Sequence, residues 1–154
     1  MYYLVVATLM LAFPVLSIAV EAAHFATRVD SVLIGKWFVF WSVGWRLLLA
    51  GVRQIVQPEY TAREILGLQS TGSWTLVREL GFGNLALGIV GVLSLWLPSW
   101  QLAAALAGGL FYMLAGINHA LQKHRNRLEN VAMVSDLFVG LILLGVCVSA
   151  FVAQ

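Results

Sequence analysis

The chain has 154 residues, of which 61% are hydrophobic and only 10% are charged. Soluble domains carry about 25% charged residues, so this composition is typical of an integral membrane protein and argues against an ordinary soluble domain. The formal net charge of +2 is too small, and the basic residues are too scattered, for a surface that binds nucleic acid.

Five segments are mostly apolar over about 20 residues, the length that a helix needs to cross a bilayer. They cover residues 2–23, 33–56, 74–97, 100–121 and 131–152. The second contains Arg46 and Arg53, and if it lies along the membrane surface the number of crossings falls to four. We predict an all-α integral membrane bundle of about five transmembrane helices, with residues 1–154 forming one domain.

A short helix is predicted in the connection between the second and third segments. Pro58 stands at the start of "PEYTAREIL", and Gly67 follows its last turn. Proline at the first helical position and glycine after the last are typical helix boundaries. The sequence therefore predicts a surface helix near residues 58–66.

The Lys and Arg residues predict the orientation of the chain. With five crossings, the two ends of the bundle receive different numbers of them. One end receives Arg53, Arg63, Arg78, Lys123, Arg125 and Arg127, and the other receives Arg28 and Lys36. Because Lys and Arg are enriched in cytoplasmic loops, we predict a protein of the inner (cytoplasmic) membrane with its N-terminus inside and its C-terminus outside.

Small or polar residues recur on one face of each predicted helix, at the three- and four-residue steps of packed helices. In the third segment this face also contains an amide, Asn84. Small residues let membrane helices approach one another closely. The helix-packing positions predicted in this way are Gly81, Gly88, Gly91, Gly108 and Gly140.

The intramembrane charged and strongly polar residues are the candidate site. Such side chains are costly in hydrocarbon and usually face protein or water. The candidates are Glu21, His24, Arg46, Arg53, Arg78, Glu79, Asn84, His119 and Asp136. Most of them are expected near the cytoplasmic end, where the first pairing to expect joins Arg53 or Arg78 to Glu79 or Asp136.

Metal and haem sites have weak support in the sequence. Glu21 and His24 have the Glu-x-x-His spacing of di-iron bundles, but a second such pair is missing, so no metal site is predicted. His24 and His119 would ligate one haem only if four crossings brought them to the same side. The aromatic segment "KWFVFWSVGW" (36–45) suits either an interfacial belt or a surface that contacts quinone, pigment or a partner helix. No cofactor is predicted, and quinone and haem stay open as alternatives.

Three stretches carry a family resemblance: "RELGFGNLALG" (78–88), "GGLFYMLAGINH" (108–119) and "SDLFV" (135–139). With them the chain resembles a group of small uncharacterised prokaryotic multi-pass membrane proteins with a Glu-Leu-Gly-Phe-x-Asn-Leu core. In size and helix number it is more distantly similar to the DoxX-like four-helix family. That likeness implies association with quinone-linked respiratory enzymes, and it transfers no catalytic residue.

Our leading hypothesis is an accessory or structural subunit of a larger membrane complex of a redox or energy-converting kind. It would be bound through its small-residue faces, and no enzyme activity of its own is expected. One alternative is a DoxX-like quinone- or haem-associated redox protein that uses Glu21, His24 and His119. Another is an oligomeric proton or small-solute channel. The expected partners are the lipid bilayer and either other membrane subunits or further copies of the chain.

Overall fold

The computed structural model of the chain describes residues 2–68 and 72–153, and within these ranges it is helical without strands. The long helices are α1 (Tyr2–Phe25), α2 (Ser31–Val56), α4 (Ser73–Leu93), α5 (Pro98–Leu121) and α6 (Arg127–Val152). A short helix, α3, runs as Pro58–Tyr60 followed by Thr61–Ile65. The all-α prediction is confirmed.

Within the described residues, five helices are long and apolar enough to cross a membrane. One of them is α2, which is the most buried of the five in spite of its two arginines. It packs against α1, α4, α5 and α6. A central helix of this kind does not fit the alternative in which the second segment lies along the membrane surface.

The helix boundaries follow local capping chemistry. The backbone of Ala26 after α1 is left-handed, which ends that helix, and the Asp30 side chain then accepts a hydrogen bond from the Leu33 amide (2.9 Å) at the start of α2. Gly67, with φ of 65°, turns the chain after α3, as glycine readily does. Asn126 and Glu129 form a capping box at the start of α6.

The alternating helix directions give the bundle two distinct ends. What we call the N-terminal end carries the start of α1, helix α3 and the loop between α5 and α6. The C-terminal end carries the α1–α2 loop, the α4–α5 turn and the end of α6. Which end faces the cytoplasm, and in which membrane, stays a prediction.

Glycines bring the backbones of α2 and α4 into contact. A Cβ atom added to Gly88 would lie 2.5 Å from the backbone nitrogen of Leu48, and one added to Gly91 would lie 2.6 Å from that of Gly44. A Cβ on Gly51 would lie 2.6 Å from the backbone nitrogen of Leu85. Because real Cβ atoms do not approach so closely, a larger residue at these positions forces the two helices apart.

The other predicted packing glycines also lie at helix contacts. A Cβ on Gly81 would lie 2.9 Å from the Gln54 side chain, and one on Gly140 would lie 3.0 Å from the backbone of Met113 in α5. Gly108 of α5 leaves room for the side chain of Val43 in α2. Small residues therefore line α4, α5 and α6 where they meet a neighbour, as in other membrane bundles.

The apolar core fills the interior of the bundle toward the C-terminal end. Val39 and Val43 of α2, Ala105 of α5 and Val139 and Leu143 of α6 are all completely buried and belong to one cluster. Toward the N-terminal end, polar side chains replace these apolar residues.

Candidate functional site

A polar cavity of about 120 Å³, which we call the chamber, lies among all the helices in the N-terminal half of the bundle. Its polar lining consists of Tyr2, Arg46, Gln54, Thr61, Asn84, Tyr112, His119 and Asp136. Arg46 and Asp136 lie about ten residues from the nearer ends of α2 and α6. At 1.5 Å per residue this places the deepest charges of the chamber about 15 Å from those helix ends, well inside the apolar spans.

Arg46 and Asp136 provide opposite charges to the chamber. Asp136 is buried, Arg46 is half-buried, and the two attract each other. The guanidinium carbon of Arg46 also lies 5.8 Å from the centre of the Tyr2 ring. Asp136 was predicted to pair with Arg53 or Arg78, whereas its basic neighbour in the chamber is Arg46.

The floor of the chamber is held by hydrogen bonds to widened turns of α1 and α2. Thr8–Ala12 in α1 and Val39–Trp45 in α2 are both π-helical. The Tyr112 hydroxyl donates to the backbone oxygen of Ser42, and the Ser42 hydroxyl donates to that of Leu9 (3.3 Å). Single π turns inside α-helices are frequent at functional sites. These bonds join α5, α2 and α1 directly beneath the polar side chains.

An amide pair spans α2 and α4 at the wall of the chamber. Asn84 Nδ2 donates to Gln54 Oε1 (2.8 Å), and both side chains are buried. The other polar atom of Asn84, Oδ1, is buried without a hydrogen-bond partner among the described residues, as is Arg46 Nε. An unsatisfied buried acceptor or donor is costly. Among the described residues that line the chamber, His119 Nδ1 is in the same state.

His119 meets a carboxylate that the sequence did not suggest as a site residue. Its Nδ1 lies 4.0 Å from Oε1 of Glu129, and only 4% of Glu129 is exposed. Glu129 Oε2 accepts a hydrogen bond from the backbone of Asn126 (3.0 Å). The Asn-x-x-Glu spacing signals a capping box, but that signal says nothing about the burial of the carboxylate.

A second cavity, which we call the portal, has a volume of about 260 Å³ and lies between α1, α2 and α3. It shares Tyr2, Arg46 and Gln54 with the chamber, and its other walls include the apolar Val5 and Leu49. Leu49 is 45% exposed, so the portal reaches the outer surface of the bundle. An opening on the side of the bundle, with apolar and polar walls, therefore adjoins the chamber.

The chain matches the sequence profile of a family of unknown function, DUF6790, over residues 1–153. The chain belongs to this family. Comparisons with curated proteins and with solved structures gave no match. The match agrees with the expected uncharacterised family, while the Glu-Leu-Gly-Phe-x-Asn-Leu core and the DoxX-like relationship stay predictions for this DUF6790 chain.

At the opposite end of the bundle, Glu21 forms an ion pair. Its Oε2 lies 2.7 Å from Lys36 Nζ and also accepts a hydrogen bond from Trp37 Nε1 (2.7 Å). His24 is exposed and contacts the Phe25 ring, with 4.7 Å between ring centres. Glu21 and His24 therefore do not share a ligand. Because His24 and His119 lie at opposite ends, the structure does not bring them to one haem.

Two arginines and a glutamate of the predicted cytoplasmic cluster, Arg53, Arg78 and Glu79, lie away from the interior that was expected for them. Arg78 and Glu79 are exposed on the outside of α4, and Arg78 lines a surface groove with Arg63. The guanidinium carbon of Arg53 lies 3.6 Å from the centre of the Tyr60 ring at the portal. The reason is helical rotation: each residue turns by about 100°, and the inner face of α4 at this level carries Val77 and Gly81.

Proposed function

We propose that this chain binds the head group of a membrane-dissolved quinone in the chamber, as a subunit of a redox or energy-converting membrane assembly. The observation that carries the proposal is the portal, which opens on the side of the bundle, has both apolar and polar walls, and adjoins the chamber that holds Arg46 and Asp136. This arrangement suits an amphipathic molecule that arrives from the bilayer.

The sizes of the two cavities support a ligand that occupies both. The chamber of about 120 Å³ and the portal of about 260 Å³ share part of their lining and together fall in the range of about 300–1,000 Å³ that small-molecule sites have. A one- or two-ring head group fits the inner space, with the start of an isoprenoid tail between Val5 and Leu49.

The hydrogen-bonding groups of the chamber match the two redox forms of a quinone. Arg46 Nε is a free donor and Asn84 Oδ1 a free acceptor within the described part of the chain. A quinone carbonyl accepts from the first, and a quinol hydroxyl donates to the second. One cation and one carboxylate face the space, which favours a neutral head group over an anion.

The alternatives have less support. The haem hypothesis needs His24 and His119 together, and they lie at opposite ends. The channel hypothesis places a pore between copies of the chain, and the filled interior at Val39, Val43 and Leu143 argues only against a path through a single bundle. The role of an accessory subunit is compatible with quinone binding, since the electrons for quinone reduction would then come from a partner subunit.

The test is quinone binding by the full chain in lipid nanodiscs, with ubiquinone-1 and a short-chain menaquinone as probes and calorimetry as the measurement. Arg46→Gln replaces the charged donor by a shorter, neutral amide and is expected to weaken binding at least about tenfold, since loss of one hydrogen bond to a charged group costs roughly 1.5–3 kcal/mol. Arg78→Gln changes an arginine on the outside of α4 and serves as the matched control.

Ala50→Phe is a second variant, because it fills the portal without removing a charge. It is expected to abolish binding of tailed quinones. The proposal fails if the wild-type chain shows no saturable binding, or if Arg78→Gln weakens binding as much as Arg46→Gln.

A further inference from the structure

A second pair of ionisable side chains lies between the chamber and the N-terminal end of the bundle. His119 is near the end of α5 and Glu129 near the start of α6. Both are buried, and the distance from His119 Nδ1 to Glu129 Oε1 is 4.0 Å. Nδ1 has no hydrogen-bond partner within the described residues.

His119 and Glu129 lie on the same two helices as the deeper chamber residues Tyr112 and Asp136, but closer to the N-terminal end. His119 follows Tyr112 by seven residues in α5, and Glu129 precedes Asp136 by seven residues in α6. Seven residues are two helical turns, or about 10 Å. The two pairs of residues therefore lie on the same faces of α5 and α6, and His119 lines the chamber together with Asp136.

Backbone contacts hold both side chains in place. Glu129 Oε2 accepts from the Asn126 amide (3.0 Å), which leaves Oε1 directed at His119. The Arg125 guanidinium donates to the backbone oxygens of His119 (3.2 Å) and Ala120 (2.9 Å). Asn126 also donates to the backbone oxygen of Glu64 in α3 (3.1 Å). The carboxylate is therefore held by the loop and by α3.

The charged and titratable groups around His119 come from several elements. Glu129 and Asp136 belong to α6, Arg125 belongs to the α5–α6 loop, and Arg46 of α2 and Tyr2 of α1 face His119 across the chamber. Of these, Arg125 and Glu129 lie toward the N-terminal end of the bundle, and Glu129 is the carboxyl group of the two. It is the group through which a proton from that side reaches the imidazole.

We infer that Glu129 and His119 form a proton relay between water at the N-terminal end and the chamber. Glu129 gives its carboxyl proton to one ring nitrogen of His119, and the imidazolium releases a proton from the other nitrogen into the chamber. Asp136 accepts that proton, and Glu129 takes a new one from solution. The use of this proton in quinone reduction rests on the proposed function, whereas the relay itself does not.

A kinetic measurement tests the relay without quinone. The full chain in nanodiscs is subjected to a rapid drop in pH, and infrared spectroscopy follows the carboxyl C=O band of Asp136, assigned by its loss in Asp136→Asn. In Glu129→Gln and His119→Gln the band is expected to rise at least about tenfold more slowly than in wild type, because a positioned acid–base group typically accelerates proton transfer by a hundredfold or more. Its final amplitude is expected to stay unchanged.

The variant Glu129→Gln keeps the helix cap, because glutamine at this position also accepts from the N-cap amide. A role in capping alone would therefore leave the rate unchanged. Glu79→Gln removes an exposed carboxylate at the same end of the bundle and is the control, with an unchanged rate expected.

Equal rates in wild type, Glu129→Gln and His119→Gln overturn the relay, as does an Asp136 band that does not respond to pH. Failure of the relay and failure of quinone binding are separate results. If the variants slow protonation but the chain binds no quinone, the relay stands and the proposed function fails. If the chain binds quinone but the variants leave the protonation rate unchanged, the proposed function stands and the relay fails.

Discussion

The two halves of the bundle interior differ in polarity and in packing. Toward the C-terminal end, Val39, Val43 and Leu143 fill the space completely. Toward the N-terminal end, the same helices enclose a chamber that holds Arg46 and Asp136. Ionisable residues inside a membrane are expensive and usually functional, so the proposed ligand site lies in the polar half, while the apolar half is closely packed.

The largest expected effect comes from separating α2 and α4. Gly88→Val places side-chain atoms against the backbone of Leu48, which we expect to lower the free energy of unfolding by about 3 kcal/mol and to disrupt the chamber wall. Thermal unfolding is followed with a thiol-reactive dye, since the single cysteine of the chain, Cys147, is buried.

Gly83→Val is the matched control for this prediction. Gly83 lies on the same helix, and a Cβ atom there would have no neighbour within 4 Å. Its unfolding temperature should stay close to that of wild type. If both valine variants lose the same stability, close contact between α2 and α4 is not what holds this part of the bundle.

An intermediate effect is expected when the charges of the polar half are removed, because stability and quinone binding should then respond differently. Arg46 and Asp136 carry opposite charges in the chamber but are not in direct contact as an ion pair. Joint replacement of opposite interior charges by apolar residues of similar size is often neutral or stabilising. The double variant Arg46→Met/Asp136→Leu should therefore be as stable as wild type, or more stable by about 1 kcal/mol, and should bind no quinone. A double variant that is much less stable would indicate that these charges serve the fold.

The smallest effect is expected outside both halves, at the Glu21–Lys36 ion pair. This pair is partly exposed, with 33% of the Lys36 side chain and 19% of the Glu21 side chain accessible. Such pairs contribute about 0.5 kcal/mol, so Glu21→Gln should lower the unfolding temperature slightly and leave quinone binding unchanged. Glu59→Gln breaks the more exposed pair with Arg63 and should have no measurable effect.

The spans and the glycine contacts were predictable from the sequence because each depends on one helix at a time. About 20 apolar residues define a span, and a repeat of small residues defines a packing face without knowledge of the partner. Gly81, Gly88 and Gly91 were found in this way. Gly44 and Gly51 of α2 were not predicted, because they lie on a different face of that helix from the one that contains Arg46 and Arg53.

The partners of the charged residues were not predictable, because they depend on how helices rotate against one another. Arg46, Arg53 and Arg78 all lie in segments that approach the same end of the bundle. A rotation of about 100° per residue decides which of them faces Asp136, and the sequence does not contain that angle. Glu129 was not predicted as a site residue for another reason. Its position in the sequence indicates a helix cap and gives no sign of its approach to His119.

Photolabelling with an azido-quinone in nanodiscs tests the central claim most directly, because mass spectrometry of the labelled peptides locates the head group. The account predicts label on residues 46–61, around Arg46 and Thr61, which an excess of unlabelled quinone removes. Label that is spread over exposed positions such as Leu76 and Phe82, and that unlabelled quinone does not displace, would contradict it.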